Sequence, residues 1–194
     1  MARQFPVVLD LETKHTFREF SDPKDLGITV LALYDYAQQK PLVFTESEIS
    51  KVFPILEKAS YVIGYNIISF DMAVLQGYYP GDVHQFKMFD MLEDVREKIG
   101  RRLALNDLIA ATLNKHKTGH GLMAIDFYHE GKWDELKQYC SDDVSLTKEL
   151  FEYGAKNREI FYMNEVGKVQ IRVDWQAYLD EDRARNDTAL TLPF

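Results

Sequence analysis

The stretch Pro6-Val7-Val8-Leu9-Asp10-Leu11-Glu12-Thr13 decides the fold, because it joins a continuous apolar run to two acids. Such a run predicts a strand that is buried on both faces. Residues two apart on a strand point to the same side, so Asp10 and Glu12 present their carboxylates to one point in space. Burying both charges is costly unless a cation compensates them, and hard divalent ions prefer oxygen ligands. The stretch therefore predicts a metal site, with a solvent-exposed strand end as the alternative.

The composition predicts one globular domain with short appendages. The chain has 194 residues, 46% of them hydrophobic, which is enough for a single sizeable core. Its net charge of -8 argues against binding polyanions through overall positive charge and leaves that task to a local basic strip. The single cysteine, Cys140, excludes an internal disulfide, and no apolar stretch resembles a membrane span or a secretory signal. We therefore expect a cytoplasmic protein without a membrane partner.

The hydrophobic pattern predicts an order of strands and helices. Two β-rich runs, at 28–36 and 41–44, follow the first strand and indicate an antiparallel meander. Thr45 and Glu48 form a capping box that predicts a helix of about three turns. A buried strand at 61–65 leads through a polar corner into a short helix, and a short apolar piece precedes a mostly helical remainder. This is the element order of a ribonuclease H-like α/β sandwich.

Three further side chains fall where such a sheet gathers a site. Asp71 lies just beyond the fourth strand, although an acid there would also complement the dipole of the following helix. Tyr139 and Asp143 are four residues apart on a long helix, at the edge of its buried stripe, so they face inward together. Asp142 is turned about a third of a revolution away and is expected to be solvated.

These residues resemble the three exonuclease motifs of the DEDD superfamily. The tyrosine variant, DEDDy, fits best, because Gln138 stands where the histidine variant would carry its histidine. The resemblance covers about residues 5–157 and extends to the proofreading domains of family B polymerases, to ribonuclease D and to small bacterial and phage 3′-5′ exonucleases. The motifs are Asp10-x-Glu12, Asn66-x-x-x-Phe70-Asp71 and Tyr139-x-x-x-Asp143.

The resemblance implies a fold, a chemistry and roles for residues. The implied fold is α/β, a ribonuclease H-like five-stranded mixed sheet flanked by helices. The implied chemistry is two-metal hydrolysis of nucleic-acid 3′ ends, with Mg²⁺ or Mn²⁺ held by four acids and Tyr139 orienting the attacking water. The implied metal ligands are Asp10, Glu12, Asp71 and Asp143, and the implied contacts to the terminal nucleotides are Leu11, Thr13, Asn66 and Phe70.

A basic segment supplies the predicted contacts to the rest of the strand. Between Lys98 and Gly121, five basic residues stand against one acid, Asp107. This segment is suited to following the phosphates of a single strand, with a solvated helix face and a mobile loop as the alternative. Sequence alone does not separate DNA from RNA here, although DNA is favoured. The basic residues are Lys98, Arg101, Arg102, Lys115 and Lys117.

The C-terminal region predicts two appendages to the domain at residues 1–157. Alternating apolar residues predict a β-hairpin extension at 158–175, and the polar residues 176–194 predict a flexible tail. The chain ends with Leu190, Leu192 and Phe194 at alternating positions, which resembles peptides that bind the bacterial sliding clamp, although Ala189 replaces their usual leading glutamine. A tail that folds back on its own domain is the alternative. A sliding clamp is thus a predicted partner and would tie the enzyme to DNA replication or repair.

The sequence as a whole predicts a metal-dependent 3′-5′ exonuclease that releases nucleoside 5′-monophosphates from single-stranded or frayed ends. A non-catalytic nucleic-acid-binding or scaffolding module of the same fold is one alternative, and retention of all four acids argues against it. A structure-specific endonuclease is another, and the Tyr-x-x-x-Asp helix argues against that.

Overall fold

A five-stranded mixed sheet forms the centre of the computed structural model, which describes residues 4–117, 119 and 122–179. Its strands are β1 (Val7–Thr13), β2 (Ile28–Asp35), β3 (Lys40–Thr45), β4 (Val62–Gly64) and β5 (Met88–Asp90). Their spatial order is β3-β2-β1-β4-β5. The pairs β1–β2 and β2–β3 are antiparallel, whereas β1–β4 and β4–β5 are parallel. The predicted meander, and the predicted crossover to a strand beside the first, are confirmed.

Strand β1 lies in the middle of the sheet and is buried on both faces, as its apolar run predicts. Val8 packs into a hydrophobic cluster on one face, and Leu9 packs into a second cluster on the other. Both side chains are at most 1% exposed. The register with β2 shifts between Glu12 and Thr13, a bulge of the kind that re-aims side chains beside functional sites.

Six α-helices flank the sheet within the described ranges. They are α1 (Phe53–Leu56), α2 (Asp71–Leu75), α3 (Met91–Ile99), α4 (Leu105–Leu113), α5 (Leu122–His129) and α6 (Trp133–Asn157). The longest, α6, packs across β1 and β2 and contributes Leu136, Val144 and Phe151 to the core. A ribonuclease H-like fold is therefore present, with helices covering both faces of the sheet.

The helix predicted after Thr45 is broken in two. The predicted capping box forms, because the Thr45 N–H donates to the Glu48 carboxylate at 3.3 Å. The segment Glu46–Lys51 is a 3-10 turn, and α1 begins only at Phe53. Pro54 explains the break: it has no N–H, and its ring would clash with the carbonyl four residues back in a continuous helix.

Gly64 brings the loop that follows β4 close to β1. A Cβ atom at this position would lie 2.8 Å from the carbonyl oxygen of Leu9 and 2.2 Å from Cγ2 of Ile67. Any larger residue would force the two segments apart. The close approach places the loop and the start of α2 beside the acids of β1.

The C-terminal extension is a hairpin of strands β6 (Glu159–Asn164) and β7 (Gly167–Arg172). Ile160 and Ile171 join the same buried cluster as Val8 of the central strand. The predicted hairpin is confirmed, and it packs on its own domain. Trp175 follows in a 3-10 turn, where it is 1% exposed and its Nε1 donates to Asp94 at 2.8 Å.

Residues 176–178, which the sequence assigns to the flexible tail, instead belong to the 3-10 turn Trp175–Tyr178, and the Tyr178 ring stacks on that of Phe89 at 3.8 Å. The rest of the predicted tail, residues 180–194, lies outside the described part of the chain. Leu190, Leu192 and Phe194 lie in this stretch, so their binding to a sliding clamp stays a prediction from the sequence. Among the described residues, no helix is both long and apolar enough to cross a membrane.

Candidate metal centre

Three carboxylates from two distant segments converge at the centre of the sheet. Asp10 and Glu12 lie on β1, and Asp143 lies on α6, which packs across that strand. One oxygen from each carboxylate lies within 4.8 Å of the other two. The same-side placement predicted for Asp10 and Glu12 is therefore observed, and it gives three oxygen ligands that can share one cation.

Asp71, the first residue of α2, lies beside this group. It is 3% exposed, and its Oδ1 accepts a hydrogen bond from the Leu11 N–H at 3.0 Å. After burial, the charge of Asp71 is the largest cause of the raised pKa of Asp10. All four acids implied by the resemblance are thus brought together, although Asp71 stands outside the three-oxygen group.

The pKa values of these acids show how crowded the negative charge is. Burial and the neighbouring carboxylates raise the pKa of Asp10 well above its usual range and that of Glu12 to about 8. Burial raises the pKa of Asp71 to about 7, and it also raises the pKa of Asp143. Burial and crowding therefore shift these groups towards their protonated forms, relative to the same acids in water.

Lys117 provides a cation among the acids. Its Nζ lies 2.6 Å from Oδ2 of Asp143. Burial lowers the pKa of this lysine, but the carboxylates of Asp143, Asp10 and Glu12 outweigh burial and raise it above the ordinary value. The ammonium contacts Asp143 and is favoured by the charges of Asp10 and Glu12, so it marks a place where a cation is stabilised. Carboxylate oxygens are the ligands that hard divalent ions prefer, so the residues present fit the ions that the sequence predicts.

Tyr139 lies one helical turn before Asp143 on the same face of α6. It is 5% exposed, and its ring meets that of Phe127 edge-on at 6.5 Å. Burial, followed by the charges of Asp143 and Glu12, raises the pKa of the phenol above its usual value. The hydroxyl therefore stays protonated at neutral pH, where it can donate a hydrogen bond but cannot serve as a general base.

The loop between β4 and α2 is held by a carboxylate that the sequence analysis missed. Asp90, at the end of β5, is 4% exposed and accepts from the N–H groups of Asn66 at 2.8 Å, Ile68 at 3.1 Å and Leu92 at 3.0 Å. It therefore fixes the start of this loop and caps α3 at once. The sequence did carry a signal, since Asp90 and Glu93 have capping-box spacing.

The residues predicted to contact the terminal nucleotides differ in how exposed their side chains are. Asn66 has a left-handed backbone, with φ of 68°, and its Oδ1 accepts from Arg102 at 2.5 Å. Phe70 is half-buried at the end of the same loop. Leu11 and Thr13 have buried side chains, and the Thr13 hydroxyl donates to the backbone at His15.

Each residue of the predicted basic strip contacts a different group of the folded chain. Lys117 faces the acids, and Lys115 pairs with Glu149 on α6 at 2.5 Å. The remaining pairs are Arg102 with Asn66, Arg101 over the Tyr162 ring at 5.2 Å, and Lys98 with Asp94. Of the five basic residues, Arg102 and Lys117 are thus the two that contact the loop or the acids.

The fold resembles that of one domain-sized part of a solved polymerase structure. The family B DNA polymerase of the hyperthermophilic archaeon Pyrobaculum calidifontis is 15% identical, with a TM-score of 0.57 over 79% of this chain and 25% of the polymerase. Two structures of E. coli exonuclease I are also similar. The zinc-bound complex with single-stranded DNA is 14% identical, with a TM-score of 0.47 over 80% of this chain. The complex with a dA16 oligonucleotide is 15% identical, with a TM-score of 0.46 over 79% of this chain.

The chain matches only part of each of these larger proteins. The chain spans a quarter of the polymerase and 41% of exonuclease I. No curated protein matches the sequence. A family model of the RNase H superfamily matches residues 7–154, which contain β1 to β5 and all four acids. The chain therefore belongs to the RNase H superfamily.

Proposed function

We propose that this chain is a metal-dependent 3′-5′ exonuclease of the DEDDy type. Its substrate is a single-stranded or frayed nucleic-acid 3′ end, with DNA favoured and RNA possible, and its products are nucleoside 5′-monophosphates. The observation that carries the proposal is the meeting of Asp10, Glu12 and Asp143 within 4.8 Å, with Asp71 and Tyr139 beside them. Chain segments more than 130 residues apart supply these groups, as a built site requires.

The four acids would hold two divalent ions, Mg²⁺ or Mn²⁺. Such ions, when bound, stabilise charge on the phosphoryl oxygens and make water a better nucleophile. The raised pKa values of Asp10 and Glu12 support this role, because a cation is what would keep both groups ionised. Among the described residues Lys117 contacts only Asp143 of the four acids, so burying the other carboxylates without a metal ion would cost stability. This argues against a non-catalytic module of the same fold.

The remaining residues of the site orient the substrate. Tyr139 is a neutral hydrogen-bond donor and would position the attacking water. Asn66 and Phe70 would hold the terminal nucleotide by a hydrogen bond and by stacking, and Arg102, already bonded to Asn66, would neutralise a phosphate. Asp90 fixes the loop that carries Asn66 and Phe70.

The test is digestion of 5′-end-labelled single-stranded DNA and RNA in the presence of Mg²⁺ or Mn²⁺. We expect a ladder that shortens from the 3′ end and disappears with EDTA. Asp143→Asn should remove nearly all cleavage, because it takes one ligand charge from the metal site. Asp142→Asn is the matched control. Asp142 is adjacent to Asp143 but accepts a hydrogen bond from Gln138 at 2.8 Å, so the variant should cleave as fast as the wild type. Internal cuts, or equal activity of the two variants, would contradict the proposal.

A further inference from the structure

An exposed aromatic ring packs against Phe70 and has no role in the chemistry so far described. Phe17 is 54% exposed, on the loop that follows β1. Its ring centroid lies 5.8 Å from that of Phe70, the residue immediately before Asp71. The two rings form a small apolar surface at the residue that precedes Asp71, and such a surface beside a site indicates a ligand that covers it.

Hydrogen bonds hold the Phe17 loop in a fixed shape. The Glu19 carboxylate accepts from the Thr16 N–H at 2.8 Å, and the Phe20 N–H donates to the Thr16 carbonyl at 3.1 Å. The Thr13 hydroxyl and the His15 N–H tie the start of the loop to its neighbours. Because the loop is already ordered, little conformational entropy is lost when Phe17 binds a ligand.

The angle between the two rings decides how bases can bind them. A base stacked between two rings needs parallel faces about 6.8 Å apart, which is twice the 3.4 Å stacking rise. The rings of Phe17 and Phe70 are instead inclined by 60° at 5.8 Å. They cannot hold one base between them, so each ring offers its free face to a different base.

We propose that Phe17 determines specificity by stacking on the base of the penultimate nucleotide, while Phe70, which directly precedes Asp71, takes the terminal base. This inference rests on the proposed exonuclease function. Arg18, next to Phe17, is exposed and has no ion pair with any residue that the structure describes, so it is available for a phosphate. Because the rings are inclined, the last two bases lose their mutual stacking, which selects single-stranded or frayed ends over paired ones.

The experiment is a double-mutant cycle between the protein and the substrate. Wild-type protein and Phe17→Ala are compared on a single-stranded oligonucleotide and on the same oligonucleotide with an abasic penultimate nucleotide. We measure kcat/KM with Mg²⁺ or Mn²⁺ and the dissociation constant by fluorescence anisotropy in EDTA. On the intact oligonucleotide, Phe17→Ala should lower kcat/KM and raise the dissociation constant, each by about 5- to 100-fold, the range of base–aromatic stacking. On the abasic oligonucleotide, the two proteins should be equal.

Two variants serve as controls. Phe20→Ala removes an equally large ring that is 41% exposed on the same loop but contacts His15 at 4.9 Å, and it should behave as wild type. Phe17→Trp keeps a stacking surface and should retain most of the activity.

The outcomes separate this inference from the proposed function. If the wild type cleaves and Phe17→Ala loses nothing, or loses the same factor on both oligonucleotides, the role of Phe17 is overturned and the exonuclease stands. If the wild type binds without cleaving, the catalytic proposal fails, and the binding cycle still decides the role of Phe17. If the wild type neither binds nor cleaves single strands, both proposals fall.

Discussion

Tyr139 presents its hydroxyl to the acids without being able to ionise near neutral pH, because burial and the neighbouring charges raise its pKa. We predict that Tyr139→Phe lowers kcat by about 10- to 100-fold and leaves substrate affinity nearly unchanged, since it removes positioning rather than charge. Tyr153→Phe, on the same helix, is the control. Steady-state kinetics on labelled oligonucleotides make the measurement, and wild-type turnover would reduce Tyr139 to a packing role.

Lys117 neutralises part of the acid cluster through its 2.6 Å contact with Asp143. We predict that Lys117→Met lowers the melting temperature in EDTA and enlarges the rise in melting temperature caused by Mg²⁺. The reason is that the variant leaves the carboxylates without their internal cation, and metal binding then relieves more repulsion.

Lys115→Met is the matched control for this measurement, because Lys115 pairs with Glu149 at half-exposed positions on the surface. Such pairs contribute little to stability, so its melting temperature should be nearly that of the wild type. Equal Mg²⁺-induced shifts in all three proteins would show that Lys117 does not compete with the metal.

At the scale of single residues, the sequence predicts which side chains lie together when they belong to the same strand or helix. Asp10 and Glu12 share a side because strands repeat every two residues, and Tyr139 and Asp143 share a face because helices repeat every 3.6. The partners of Asp90 and Lys117 come from distant parts of the chain: two backbone N–H groups of the loop after β4, and the acids. No periodicity connects such residues, so only the folded structure shows their roles.

Helix α6 carries both the face that bears Tyr139 and Asp143 and the face that docks the C-terminal extension. Gly154, near its end, is the contact point: a Cβ atom there would lie 2.3 Å from Cε3 of Trp175. We predict that Gly154→Ala destabilises the protein by about 1–3 kcal/mol, the usual range for overpacking a core. Urea denaturation followed by circular dichroism provides the measurement.

Adding Trp175→Phe tests the cause of that loss. A smaller ring makes room for the new methyl group, so the double variant should lose less stability than the sum of the two single variants. Purely additive effects would show that the Gly154–Trp175 contact does not limit packing.

Element boundaries were less predictable than element order. The order of strands in the sheet follows from the hydrophobic runs and from the crossover rule, and it is confirmed. The helix after Thr45 was expected to be continuous, yet Pro54 divides it. The prediction of a continuous helix rests on the spacing of its apolar residues, and that spacing does not reflect the effect of the proline on the backbone.

The ionisation of the acids is coupled to the stability of the whole domain, because the acids lie inside the packed core. Asp10 belongs to the central strand, and the flanking residues Leu9 and Leu11 are at most 3% exposed. Cys140 of α6 packs its Sγ 3.5 Å from the Asp10 carbonyl oxygen. A charge placed at this point therefore acts on the folding equilibrium of the entire domain.

The acids consequently predict an unusual pH dependence for the metal-free protein. The pKa of Glu12 rises from 4.5 to about 8 on folding, and that of Asp71 rises from 3.8 to about 7. The folded state thus binds more protons than the unfolded state between these limits, so the free energy of unfolding falls as pH rises. In EDTA we expect the melting temperature to decrease from about pH 5 to pH 8.

Mg²⁺ or Mn²⁺ should reverse this trend, because the ions bind the deprotonated carboxylates and their stabilising effect grows with pH. Differential scanning fluorimetry across this range, with and without metal, makes the measurement. Asp143→Asn should give a shallower slope in EDTA and a weaker response to metal, since it removes one charge from the group. Asp142→Asn should follow the wild type. A flat or rising profile of the wild type in EDTA would show that the four acids are not crowded in solution, and it would remove the electrostatic argument for a metal site.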